Sequence, residues 1–410
     1  MWTPDAFVKT TVIPVILMLL INWIIIRRKM RFPPLRFLRG DLSNRRRKRA
    51  LMLPDFSFIR RFRLRILLQN IPGYFMLFIG IIFVMVMLAM AVGMPETLGW
   101  YQEHADEMML SKTQVILTAD HDEDGNAVVT ANEDAVKFSM EDLVYDHGDH
   151  EETVSTYGME QGNRYAKFPA DMGEGEIAVS SAFMNKFALK EGDVITLKEK
   201  FGYGSYELTV RAVVDYDGGI AAFMSIDEFN RMFDRRAGSY DGFLSDSEIT
   251  DIDEDFIASV ITKEDILKMA AQLDHSMGAY MLYFQYLCIL LSAVLIFLLT
   301  KVIIERNEKS ISMVKILGYS TREIASLYLV TTTIAVIVSE AISVFASKAI
   351  MTGMWKMIIS RMGGYYPFKL GGAGMLRMCV LVFAGYLLVM LVDFRRIRRI
   401  PMDQALKDME

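Results

Sequence analysis

Cysteine is nearly missing from this chain. Cys288 and Cys379 are the only two among 410 residues, and both sit inside apolar runs. There is therefore neither a disulfide framework nor a thiolate metal site, and the redox compartment stays open. No G-x-x-x-x-G-K-[ST] stretch occurs, which excludes that phosphate-cradling loop on this polypeptide, and no G-x-S-x-G elbow accompanies His104 in "YQEHADE". With no catalytic, cofactor-binding or metal constellation in view, the chain does not read as an enzyme. Basic residues are scarce over one long stretch: residues 95–275 hold 39 of the 50 acidic side chains and all five histidines, but only 14 of the 45 lysines and arginines.

Long hydrophobic runs are abundant instead. Over half of the residues are apolar (52%) while 23% are charged, a mixture expected of membrane helices joined to a folded aqueous domain. A bilayer core of about 30 Å needs roughly 20 apolar helical residues. Five segments approach or meet this: 10–26, 66–95, 276–300, 324–347, and 378–392 with an extension back past Arg377. The Lys/Arg content of short loops sets their direction. Residues 27–65 carry 15 basic side chains, including Arg45, Arg46, Arg47, Lys48 and Arg49, against only Asp41 and Asp55, so this loop is expected in the cytoplasm. The N-terminus and the acidic stretch are then outside, 305–323 inside, the loop near 353–370 outside, and the tail "RRIRRIPMDQALKDME" inside.

The basic cluster follows the first apolar run and Asp5 precedes it, an order expected of an uncleaved anchor and not of a signal peptide. Beside two spans, the pentabasic run reads as a topology determinant and a contact for anionic lipid headgroups, with no nucleic-acid partner. The fold class expected is an α-helical membrane bundle of five spans with an inserted α+β extracytoplasmic domain. Its parts are an extra N-terminal span (1–26), a basic cytoplasmic linker (27–65), a first core span (66–94), the outer domain (95–275) and a three-span C-terminal segment (276–410).

Within the outer domain, "TQVILTADHDEDGNAVVT" predicts strand, Asp124-Gly125 turn, strand. Strands are expected at 177–179, 194–198 and 206–214, with helices at 181–187 and after Ser225, which has Glu228 as its capping-box partner. Interleaved strands and helices make one α/β or α+β domain, or two small subdomains. "DHDEDG" resembles the opening of a calcium loop, but position twelve is Ala131 and strands flank it, so it reads as a solvated turn. "DHGDHEE" places His147 and His150 among carboxylates with no third ligand in view, and reads as a polar loop.

The stretch "ERNEKSISMVKILGYSTREIASLYL", residues 305–329, stands between two spans. Glu305 and Lys309 are four apart in the favourable order for a helical pair. Ile311, Val314 and Leu317 recur at spacing three, widened by Met313 and Ile316 into an amphipathic stripe. Gly318 suits a left-handed helix stop, and Ser320 with Glu323 forms an S-x-x-E box opening the next span. A helix of about three turns is expected on the cytoplasmic side, either an interfacial helix satisfying topology or a lever that tilts two spans together. In the next span Glu340 is the lone charge; it is expected in the outer third, where it snorkels to water, pairs with Arg377, or carries a proton or ion.

These residues resemble the FtsX-like permease family. The resemblance rests on the 305–329 stretch, on "GEIAVSSAFMNKFALKEGDVITLK", similar to extracytoplasmic domains of the MacB type, and on the ending "RRIRRIPMDQALKDME". Together with the span order it covers 62–410. It implies a membrane permease or mechanotransmission subunit of an ABC-type assembly, with ATP and Mg bound in a separate cytosolic ATPase and no cofactor on this chain. The coupling helix, about 305–319, would include Glu305, Arg306, Glu308, Lys309, Ile311, Val314, Leu317 and Gly318. The extra first span departs from a four-span core and resembles the second half of large two-repeat permeases, so the partner is a second permease half or another copy. The resemblance implies a bacterial cell (inner) membrane and a lipophilic or peptide-like substrate. A membrane sensor binding a ligand through its outer domain is the alternative.

Overall fold

A computed structural model describes residues 7–30, 58–148 and 150–401, in two compact units, Met1–Arg61 and Phe62–Glu410. The pentabasic run and the tail beyond residue 401 lie outside the described residues. In the first unit, a π-helical turn at Val8–Val12 leads into α1 (Ile13–Met30). Leu17, Met18, Leu19 and Trp23 of α1 are all exposed, as expected of a helix solvated by lipid.

The second unit begins in helix α2 (Phe58–Gln69), which breaks at Asn70 before α3 (Ile71–Glu103). Three further long helices follow the inserted domain: α6 (Lys263–Arg306), α8 (Thr321–Ile359) and α9 (Gly372–Arg399), with the short α7 (Glu308–Ile316) between α6 and α8. Counting α1, five helices among the described residues are long and apolar enough to cross a membrane; the protein is a multi-pass membrane protein. Leu77, Ile81, Met85, Leu88 and Val92 form the inward face of α3, at the three-to-four spacing of one helical stripe. They pack against α6, α8 and α9 around Ile296, Val336, Val382 and Tyr386. The opposite face, with Phe75, Ile79 and Phe83, is exposed.

The helices outrun the predicted spans. α3 continues through Pro95 to Glu103, so the domain begins after the helix and not at residue 95. α6 starts at Lys263, within the stretch predicted as outer domain, and α8 runs on to Ile359.

The domain's nine strands are β1 (Thr113–Leu117), β2 (Val136–Asp146), β3 (Glu151–Met159), β4 (Glu176–Ser180), β5 (Val194–Glu199), β6 (Ser205–Val214), β7 (Ala221–Ser225), β8 (Gly242–Ser245) and β9 (Ile257–Thr262). Six of them close on themselves: β2 pairs with β3, then β7, β4, β6, β5 and β2 again. The long β2 allows this, because one edge lies along β3 while the other binds β8 near Val136 and β5 near Leu143. Inward residues of the ring, Leu143, Val154, Ile177, Leu197 and Val210, pack with Phe183 of α4 (Ser181–Phe187) and Phe229 of α5 (Ile226–Met232). Ser180 and Ser225 cap these two helices.

The remaining strands form an arm, β8-β1-β9. The predicted hairpin across Asp124-Gly125 is not a strand pair: β1 binds β8 and β9 instead, and only an isolated His121–Ala127 bridge marks the turn. Asp122 is consumed inside that turn, accepting from the backbone N and Nδ2 of Asn126 at 2.7 and 2.8 Å. These hydrogen bonds hold its carboxyl below the ordinary value.

Candidate functional site

The domain and the α8–α9 connection share one end of the bundle, and α7 lies at the opposite end. Two breaks set its position. Asn307, between α6 and α7, has φ −107° and ψ 6°; Asn70, between α2 and α3, has φ −109° and ψ 15°. Each amide donates to the carbonyl four residues back, Asn307 to Ile303 at 2.6 Å and Asn70 to Ile66 at 2.9 Å. Asn307 Nδ2 also lies 3.4 Å from Asn70 Oδ1, so the two buried bends meet. The stop after α7 follows from Gly318 at φ +89°, with Tyr319 N donating to Val314 O and Gly318 N to Lys315 O, the paired bonds of a Schellman end. Ser320 and Glu323 then cap α8 reciprocally, as the S-x-x-E spacing predicts.

One face of α7 is bound to the bundle and the other is open. Ile311 is fully buried and Val314 packs beside Ile66, Ile304, Ile324, Tyr328 and Ile397. Lys315 is buried too, its ammonium donating to the carbonyls of Ile397, Arg398 and Ile400 at 2.9, 3.2 and 2.7 Å. Those carbonyls end α9, where a cation both satisfies unpaired acceptors and opposes the helix dipole. Burial holds the Lys315 ammonium below the ordinary lysine value. Met313, Ile316 and Leu317 project outward, 54%, 48% and 69% exposed. The predicted single stripe is thus split, because Leu317 lies beyond the last helical residue and turns away from Ile311.

The other predicted members of the helix are placed differently. Glu305 and Arg306 close α6 and do not belong to α7. Glu305 pairs with Arg396 at 2.6 Å, tying α6 to α9; the side chain of Lys309, its predicted partner, lies outside the described residues. Glu308 opens α7, in the favourable place for an acid at a helix start.

The predicted Glu340–Arg377 pair does not form. Glu340 is buried at the midpoint of the 39-residue α8, and its Oε1 has no hydrogen-bond partner. Arg377 instead donates to Gln285 Oε1 at 2.9 Å, while Gln285 Nε2 donates to Ala91 O at 2.9 Å. Ala91 is four residues before Pro95, whose missing N–H leaves that carbonyl without its helical donor. Gln285, unremarked in the sequence, supplies the replacement, and α3 stays continuous. The signal was available: a proline inside an apolar helix demands a donor, and Gln285 is the one amide between residues 276 and 300.

At the domain end, Lys186 of α4 is enclosed by Glu152 Oε2 (2.6 Å), Met362 O (2.6 Å) and Gly364 O (2.9 Å). Glu152 Oε1 accepts from Gly364 N at 2.8 Å. A buried ion pair with every charge-bearing group engaged therefore clamps the barrel to the α8–α9 connection. That connection is also held to α3, by Thr97 to Lys369 O, Tyr101 to Pro367 O and Gly371 N to Glu96. Phe368 lies so close to Gly93 that a β-carbon there would meet its ring. His147 packs against Tyr145 and Phe187, His150 faces Glu152 at 3.6 Å, and His104 stacks on Trp100. Among the described residues no group of three or more His, Cys, Asp or Glu could hold a metal ion.

The chain is thus a multi-pass bundle with a short bound helix at one end and a clamped β-domain at the other. Residues 283–402 match the family model described as FtsX-like permease C-terminal, the family that the sequence resemblance pointed to. Among solved structures, the chain is similar to the extracellular domain of the noncanonic ABC-type transporter YknZ from Gram-positive bacteria, at 12% identity and TM-score 0.24, covering 40% of this chain and 95% of that one. No curated protein matches the chain.

Proposed function

We propose that this permease subunit transmits motion between a separate cytosolic ABC ATPase and the inserted domain, which works on the outer side of a bacterial cell membrane. ATP and Mg are bound by that partner, and the moved cargo is a lipophilic or peptide-like substrate. The N-terminus lies outside and the C-terminus in the cytoplasm, the assignment favoured by the basic loop at 27–65. A second permease half or another copy completes the assembly.

The observation that carries this reading is the divided surface of α7. Its inner face is anchored to α9 by Lys315 and to the α3 entry by Asn307, while Met313, Ile316 and Leu317 form an open apolar patch. A patch of this kind on an anchored helix is a natural seat for a partner protein. Pressure on it moves α6, α8 and α9 together. Leu317→Asp is expected to cut recovery of the ATPase with the purified chain at least tenfold while the chain itself remains folded. Full recovery and unchanged ATPase coupling in that variant would overturn the proposal.

A further inference from the structure

A cavity of about 200 Å³ lies where the barrel meets the membrane helices, between α4, the last turns of α8 and the α8–α9 connection. Trp355, Ile359 and Phe368 supply its apolar wall, and Asn185, Lys186 and Lys356 supply its polar one. No carboxylate lines it, although it adjoins a domain that carries most of the chain's acids. The Lys186 charge is already compensated by Glu152. The Lys356 side chain has no hydrogen-bond or ion-pair partner among the described residues and is exposed, so its ammonium is the uncompensated charge at the cavity. The Trp355 indole N–H is committed to Tyr366 O at 2.5 Å, which fixes the ring in the wall.

The neighbours of Lys356 along α8 identify the surroundings. Met354, Met357 and Ile358 are 48%, 69% and 41% exposed, an apolar surface that a membrane helix turns toward lipid. Trp and Lys at such a helix end occupy the headgroup level of a bilayer. The cavity is smaller than the roughly 300–1,000 Å³ of sites for drug-sized ligands, so it accommodates a headgroup and not acyl chains. We propose that it binds the phosphate-bearing headgroup of an anionic phospholipid from the leaflet on the domain side. The phosphate sits at Lys356 and the Asn185 amide, the glycerol lies over Trp355 and Phe368, and the acyl chains run out along Met357 and Ile358. Lys186 of the barrel clamp lies in the same wall, so the bound lipid touches the junction between barrel and bundle. This site is independent of the transport reading.

Native mass spectrometry of the full chain with added phosphatidylglycerol or phosphatidylcholine tests it. The wild type is expected to retain one phosphatidylglycerol at least fivefold more tightly than phosphatidylcholine, with Lys356→Gln abolishing the preference and Lys356→Arg preserving it. Arg361→Gln is the control, since Arg361 is exposed nearby but outside the cavity lining. An equal loss in Arg361→Gln would assign the preference to general surface charge and overturn the site. Displacement of the lipid by millimolar inorganic phosphate would make the ligand a free anion and overturn the lipid assignment. Thermal stability of each variant, measured alongside, separates lost binding from lost folding.

Discussion

Two buried charges in the bundle stand in opposite situations. Lys315 has three carbonyl acceptors, whereas Glu340 has an oxygen with none. Removing a donor from buried acceptors costs about 1–3 kcal/mol, and removing an unsatisfied buried group recovers a similar amount. Lys315→Met is therefore expected to lower the thermal midpoint of the detergent-solubilised chain, with its effect concentrated where α7 meets α9. Glu340→Leu, of similar volume, is expected to raise that midpoint; an unchanged or lower value would mean that the carboxyl is satisfied in the membrane. A variant that gains stability and loses transport would mark Glu340 as a group retained for function. Sequence placed both residues on helices but could not orient them. Whether Glu340 faces Arg377 depends on the rotation of α8 against α9, which is set by packing around Val336, Val382 and Tyr386 and not by the spacing along either helix.

Individual elements were legible wherever local chemistry decides them. Ser320 and Glu323 capped the helix they were expected to cap, Gly318 took the left-handed stop, and the strands at 177, 194 and 206 fell within a residue or two of their positions. Reading failed where the deciding partner is remote. Pro95 looks like a helix end until Gln285, 194 residues from Ala91, replaces the missing donor. β1 looks like half of a hairpin until β8 and β9, far along the chain, take its two edges. The first case makes a double-mutant prediction. Gln285→Leu is expected to destabilise the bundle by about 1–3 kcal/mol, and Pro95→Ala, which restores a backbone N–H for Ala91 O, is expected to recover part of that loss. Strictly additive thermal shifts across the four proteins would disprove the linkage.

For the molecule as a whole, the barrel is joined to the bundle through its clamp as well as through the chain. Breaking one partner of a buried pair leaves the other charge uncompensated, at a cost of about 3–5 kcal/mol. Lys186→Met is therefore expected to loosen the junction selectively: amide exchange should accelerate over 360–368 and around Glu152, with little change in α3 or around α7. Uniform acceleration would mean global unfolding and would remove the clamp from the account. Glu152→Gln, which keeps the shape and one acceptor, should show the same pattern more weakly.

The arm β8-β1-β9 has a mechanical consequence. The chain enters the domain through β1 and leaves through β9, and these strands are antiparallel neighbours with Thr113 opposite Thr262 at the end nearest the helices. A tension that separates α3 from α6 is applied to both strands at that same end, so it loads their hydrogen bonds one rung at a time, like a zip. A pull along the strands in opposite directions would load all the rungs together and meet far more resistance. The domain is thus poorly protected against the spreading of its two supporting helices but well suited to being turned by them as a closed block. For the transmission of motion proposed above, this attachment favours rotation over stretching.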